Sequence, residues 1–297
     1  MRFAGVLSLA AGAVFLVAFN WQNLGLFARF AMVEAALLAS IVTAWTKGLD
    51  HLSGKLALML GVLLTGAFLA LFGQSYQTGA DVYELFLGWA ALTLPWVIAC
   101  RYAPCWALWL VLINAAMMLY VAAEARGWMM SLFRDRWQWA PFSLPFLLNL
   151  LIYVTLIMLS RWKELGLDES WLRRGVMAVA MTFGTCSMVY RVASHHSEGG
   201  AAIGLEILLF LIASAGFAVH AYAQKQDLFN FAVLALSWIV VSTTLIGNAM
   251  LEDHAGVGTL FVIAIYVIAT STGAVKGISH LSQQWRAQQW KAGEPAQ

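Results

Sequence analysis

Glu34 stands near the middle of a long apolar run, 24–45, where an ionised carboxylate costs several kcal/mol unless it is paired, protonated or hydrated. Two chemistries fit it: a proton or ion relay, or a structural hydrogen bond to a neighbouring helix, with Asn114 as the partner. Arg29 lies five residues earlier, about 140° around a helix, so it is expected to snorkel toward the boundary instead. Under the relay reading, Glu34→Gln abolishes a pH-dependent activity and leaves expression intact.

The segment 73–84 is the second place where residue types suggest chemistry. As a helix it sets Gln74, Gln77, Thr78 and Asp81 at i, i+3, i+4 and i+7, on one face. Gly73 and Gly79 suit a re-entrant turn equally well. Both forms bring a polar stripe to the membrane boundary, either as a solvated loop with amide caps or as the vestibule of a solute site. Asp81 with Glu84 is also the acid/base pair that an intramembrane enzyme would need.

Imidazoles and carboxylates gather twice more, at His195, His196 and Glu198 and at Glu252, Asp253 and His254. These are ligand types for zinc. Adjacent histidines point in different directions, however, and the loops are short, so both groups are read as solvated and no metal is expected. Glu206, about five residues into its run, is expected to reach headgroup water. His220 reads as interfacial, and Asn149 as an interhelical hydrogen bond. Cys100 and Cys105 flank the turn Arg101-Tyr-Ala-Pro, on the side assigned to the cytoplasm, where a disulfide is not expected. Cys186 lies inside a run. One such cysteine pair without a nearby histidine lacks the usual zinc ligand set. The sequence has no phosphate loop, HExxH, GxSxG or dinucleotide fingerprint, so no cofactor is expected.

The elements that must position these groups follow from composition. The chain has 297 residues, 62% hydrophobic and 11% charged, with a mean hydropathy of +0.77. That apolar share is far above the roughly 45–50% of a soluble domain. Continuous runs fall at 3–19, 24–45, 54–73, 83–100, 104–123, 144–160, 175–190, 201–222, 228–247 and 256–275. Continuity rather than alternation makes them helices, so the fold class is an all-α polytopic transmembrane bundle of about ten spans. Ten spans of about 20 residues leave no room for a soluble domain of ordinary size.

All but five of the 17 lysines and arginines (Arg29, Arg126, Arg134, Arg136 and Arg191) fall on the side of the N-terminus. Both termini are therefore expected in the cytoplasm. The net charge of +2 gives no reason to expect nucleic acid. The first run is read as an uncleaved span, because 15–19 continues it without a small-residue cleavage site. Of the 14 tryptophans, Trp21, Trp45, Trp128, Trp137, Trp139, Trp162 and Trp171 fall near span ends. Trp89, Trp96, Trp106, Trp109 and Trp238 lie deeper and are expected to pack between helices. Residues 1–275 read as one transmembrane domain. A short interfacial helix is expected over 124–141, and 276–297 reads as a cytoplasmic amphipathic tail with Ile278, Leu281 and Trp285 spaced three and four apart.

Three strings resemble a known family: Asn20-Trp-Gln-Asn-Leu-Gly-Leu-Phe-Ala-Arg-Phe30, Phe72-Gly-Gln-Ser-Tyr-Gln-Thr-Gly-Ala-Asp81 and Leu85-Phe-Leu-Gly-Trp-Ala90. With Leu108–Asn114 and Leu119-Tyr120, they make residues 1–125 similar to the bacterial integral-membrane family of domain of unknown function 2157. The resemblance implies a polytopic protein of the bacterial inner membrane, and it brings no established activity or site. Members typically carry a soluble helical stretch ahead of the first span; this sequence starts almost inside that span.

Three functions are weighed. Transport or permeation of a small solute or ion leads, on Glu34, Asn114 and the Gln74–Asp81 stripe. Ten spans in about 300 residues are shared with drug/metabolite transporters, a likeness of span count alone. The second is a non-catalytic subunit or scaffold whose partner is another membrane protein. The third is an intramembrane enzyme acting on lipid-linked substrates, for which no complete catalytic set is found. The expected partners are the lipid bilayer, a small solute or ion, and a membrane protein.

Overall fold

The computed structural model describes residues 21–76, 79–124, 140–160, 162, 165–193, 200–223, 227–253 and 257–292. A 3-10 turn, Trp21–Asn23, precedes nine helices: α1 (Leu26–Lys47), α2 (Leu52–Tyr76), α3 (Val82–Cys100), α4 (Ala103–Glu124), α5 (Ala140–Leu159), α6 (Ser170–Ala193), α7 (Gly200–Ala223), α8 (Leu228–Asp253) and α9 (Val257–Ala292). All nine are long and apolar enough to cross a bilayer, and the described residues contain no strand. They match the last nine runs of the sequence. The first run, 3–19, lies outside the described residues, as does most of the expected interfacial helix over 124–141. Large apolar side chains such as Phe27, Leu38, Leu151, Ile265 and Ile268 are exposed along the helices. Such a surface suits lipid, where apolar exposure carries no hydrophobic cost.

The chain divides into two compact units at Leu119/Tyr120. In the first, α2 packs on α1 and on α3. Small residues allow the close approach: a Cβ added at Gly61 would lie 2.9 Å from Ser40 Oγ and 3.1 Å from the Trp96 ring. Two indoles then bond to backbone on the next helix, Trp89 Nε1 donating to Val62 O at 2.7 Å and Trp109 Nε1 to Ala90 O at 2.8 Å. These tryptophans pack between helices as their depth implied. Trp45 and Trp162 are exposed, in keeping with interfacial rings.

In the second unit α6 packs against α5, α7 and α8, and α8 also packs against α9. Gly184 of α6 lets Phe146 of α5 and Phe210 of α7 close on it; a Cβ there would meet their rings at 2.9 and 3.1 Å. α9 passes Val275, where the sequence divides span from tail, without a break. Its 36 residues rise about 54 Å, against a hydrocarbon core of about 30 Å. Beyond the apolar part, Trp285 is buried with its ring 6.3 Å from Tyr222 and 6.1 Å from Phe231.

Candidate functional site

The ends of α6 and α7 bring together the most heavily bonded ionisable pair among the described residues. Ser187 and Arg191 are four residues apart on α6 and so share a face. Only six residues separate Ala193 from Gly200, which returns α7 beside that face and sets Glu206 against it. Arg191 Nε donates to Glu206 Oε2 at 2.6 Å. Ser187 Oγ donates to Oε1 at 2.8 Å, and Ser143 Oγ, from the first turn of α5, donates to the same oxygen. The two serine hydroxyls are also 2.9 Å apart. Ser143, Ser187 and Glu206 are buried.

A cavity of about 310 Å³ opens beside the pair. Its other walls are apolar, with Phe210, Trp238, Met188 and Leu245 among them. Trp238 stacks at 5.5 Å on Phe210 and is partly exposed, so it serves as a wall as well as packing between helices. An apolar pocket with a few convergent polar groups is the usual form of a small-ligand site. The carboxylate divides its work here. One oxygen rests on two hydroxyls and the other on the guanidinium, so the pair can open on one side while the other stays bonded.

A second polar group lies where α6 and α8 begin. Arg174 Nε pairs with Asp227 Oδ1 at 2.8 Å, and Asn230 Nδ2 donates to Asp227 Oδ2 at 3.0 Å. Tyr153 and His220 stack edge to face at 5.8 Å near the ends of α5 and α7. Asn149 donates to Pro145 O within its own helix at 2.8 Å.

The sequence candidates of the first unit are placed differently. Glu34 is exposed on α1 and, among the described residues, makes no hydrogen bond or ion pair. Asn114 is half-buried on α4 and donates to Leu110 O at 2.9 Å; no hydrogen bond joins it to Glu34. Arg29 turns back to Leu24 O at 3.0 Å and lies 5.5 Å over the Trp21 ring. Gln74 is exposed near the end of α2, and Gln77 and Thr78 lie outside the described residues. The continuous-helix form of the 74–81 stripe does not occur. α2 ends at Tyr76, Gly79 takes a φ of +68°, and Asp81 stands as N-cap of α3. Glu84 closes that cap, accepting from Asp81 N at 3.2 Å. Both carboxylates are thereby explained as helix-start residues.

Glu206 was expected near headgroup water and is instead buried against Arg191. Arg191 itself reads from the sequence as a loop cation. The signal for it was the helical phase: Ser187 and Arg191 continue the face of α6 past the end of its apolar run. Of the metal candidates, His195, His196 and His254 lie outside the described residues, as does the side chain of Glu252. Among the described residues no group of three or more His, Cys, Asp or Glu side chains is placed to hold a metal ion.

Among the described residues, nine apolar helices with a charge pair enclosed between three of them define a multi-pass helical membrane protein. Residues 1–106 match the model of the family described as "Predicted membrane protein (DUF2157)", and the likeness extends over that N-terminal part alone. No curated protein and no solved structure matches. The matched stretch falls within the first unit, whereas the Arg191–Glu206 site lies wholly in the second.

Proposed function

We propose that this is a permeation protein of the bacterial inner membrane, with both termini in the cytoplasm, and that it binds a small amphipathic solute carrying an anionic group. The observation behind this reading is the Arg191–Glu206 pair beside an apolar cavity of about 310 Å³. Ionisable groups within a membrane bundle are costly, and they usually mark a solute or ion path. A guanidinium is suited to a carboxylate or phosphate because its fork makes two parallel hydrogen bonds. An arriving anion would take Arg191 from Glu206 Oε2 while Ser143 and Ser187 keep Oε1 bonded. The apolar walls would receive the rest of the solute.

The test is uptake into proteoliposomes of a panel of small aliphatic and aromatic carboxylates. Wild type is compared with Arg191→Gln, Arg191→Lys, Glu34→Gln and Asp81→Asn. Losing a charge-assisted bond of about 1.5–3 kcal/mol predicts a fall of roughly 10- to 100-fold in uptake for Arg191→Gln. Arg191→Lys should keep part of it. Uptake lost in Glu34→Gln but kept in Arg191→Gln would overturn this site and move it to the first unit. With no uptake of any solute by wild type, the reading as a membrane-protein subunit takes its place.

A further inference from the structure

Two thiols meet at the turn between α3 and α4. Cys100 closes α3 and Cys105 lies in the first turn of α4; both are fully buried, and their sulfurs are 2.8 Å apart in a hydrogen bond. The turn is built to bring them together. Arg101 takes the left-handed conformation, φ 48° and ψ 42°, and reverses the chain in one residue. Cys105 N then bonds Tyr102 O at 2.9 Å, which starts α4 with its cysteine facing back on the end of α3. α2 supports the corner. Lys55 O lies 3.7 Å from Cys100 Sγ, and the Lys55 ammonium sits 5.7 Å over the Tyr102 ring. A disulfide needs a separation of about 2.05 Å, so the sulfurs have roughly 0.8 Å left to travel.

We propose that Cys100 and Cys105 are a redox-active dithiol, a modification site at which a small uncharged peroxide closes an intramolecular disulfide across the α3–α4 turn. Burial selects the oxidant class, because a bulky or charged disulfide cannot reach a fully buried sulfur while hydrogen peroxide is little larger than water. One sulfur, as thiolate, attacks a peroxide oxygen; an S–O bond forms, the O–O bond breaks, and hydroxide leaves with the thiol's proton as water. The second sulfur attacks the resulting sulfenic acid, the S–S bond forms, the S–O bond breaks, and a second water departs. Two thiols lose two electrons in all, and one peroxide becomes two waters. Once unfolding exposes the disulfide, exchange with a dithiol reductant restores the two thiols.

The experiment uses the full chain, reduced in detergent micelles, treated with hydrogen peroxide, quenched, unfolded in SDS and labelled with a maleimide polymer. Labelled thiols should fall from the three in the sequence to one, that of Cys186. Trypsin cuts after Arg101, so it should release two peptides that separate only on reduction. In Cys105→Ala, Cys100 should stop at a sulfenic acid that dimedone traps when the chain is unfolded in its presence. Three labelled thiols after peroxide, or loss of Cys186 in step with the pair, would overturn the proposal.

Discussion

Removing one member of a buried ion pair leaves the other charged and unmatched, which costs more than the pair contributes. Arg191→Ala should therefore lower stability by about 3 kcal/mol, read by unfolding in detergent micelles. Adding Glu206→Gln should recover more than half of that loss, since the neutral amide keeps the serine bonds without a stranded charge; no recovery would mean that the pair is not what was lost. Arg101 offers the opposite sign. A non-glycine residue in left-handed conformation costs roughly 1 kcal/mol, so Arg101→Gly should raise the unfolding midpoint. At this scale the sequence singled out Glu34, whereas the buried and paired carboxylate is Glu206. Depth along a span can be counted from the sequence, but which way a side chain faces cannot, and Glu34 is exposed where the shallower Glu206 is enclosed. Arg191 was hidden for a related reason, because a hydropathy run ends at its first charge while the helix continues to Ala193.

Helix pairs in the first unit depend on fit between glycine and tryptophan. A Cβ at Gly66 would lie 2.4 Å from the Trp89 ring, whose N–H also bonds Val62 O. Gly66→Ala must push the indole aside and strain that bond, at a cost of about 1–3 kcal/mol. Trp89→Phe should cost about 1 kcal/mol by losing the bond alone. If the two variants unfold together with wild type in the same detergent, the contact does not hold α2 to α3. The second unit has its own anchor in Trp285, and Trp285→Ala should cost about 3 kcal/mol. Span identity at this scale was legible because continuous apolarity leaves helix as the only form with every backbone bond made. The unbroken passage of α9 through Val275 was not, since a helix keeps its backbone pattern whether its surface is apolar or amphipathic. The break after Tyr76 was legible only as an alternative, and Gly79 with its positive φ decided it.

The family match and the division of the chain coincide at the level of the whole molecule, residues 1–106 lying inside the unit that ends at Leu119. The α3–α4 turn with its cysteines is in the matched part and the ion pair is not. A fusion of green fluorescent protein to the C-terminus should fluoresce, and one of alkaline phosphatase should be inactive, if the distribution of basic residues sets both termini in the cytoplasm. The reverse pattern would invert every assignment of inner and outer ends. α6 carries a further consequence, because among the described helices it is the least apolar and also the most enclosed. During synthesis Arg191 leaves the ribosome fifteen residues ahead of Glu206. Until α7 follows, α6 must wait beside the translocon with its charge unmatched, so the two helices are expected to enter the bilayer as a pair rather than in turn.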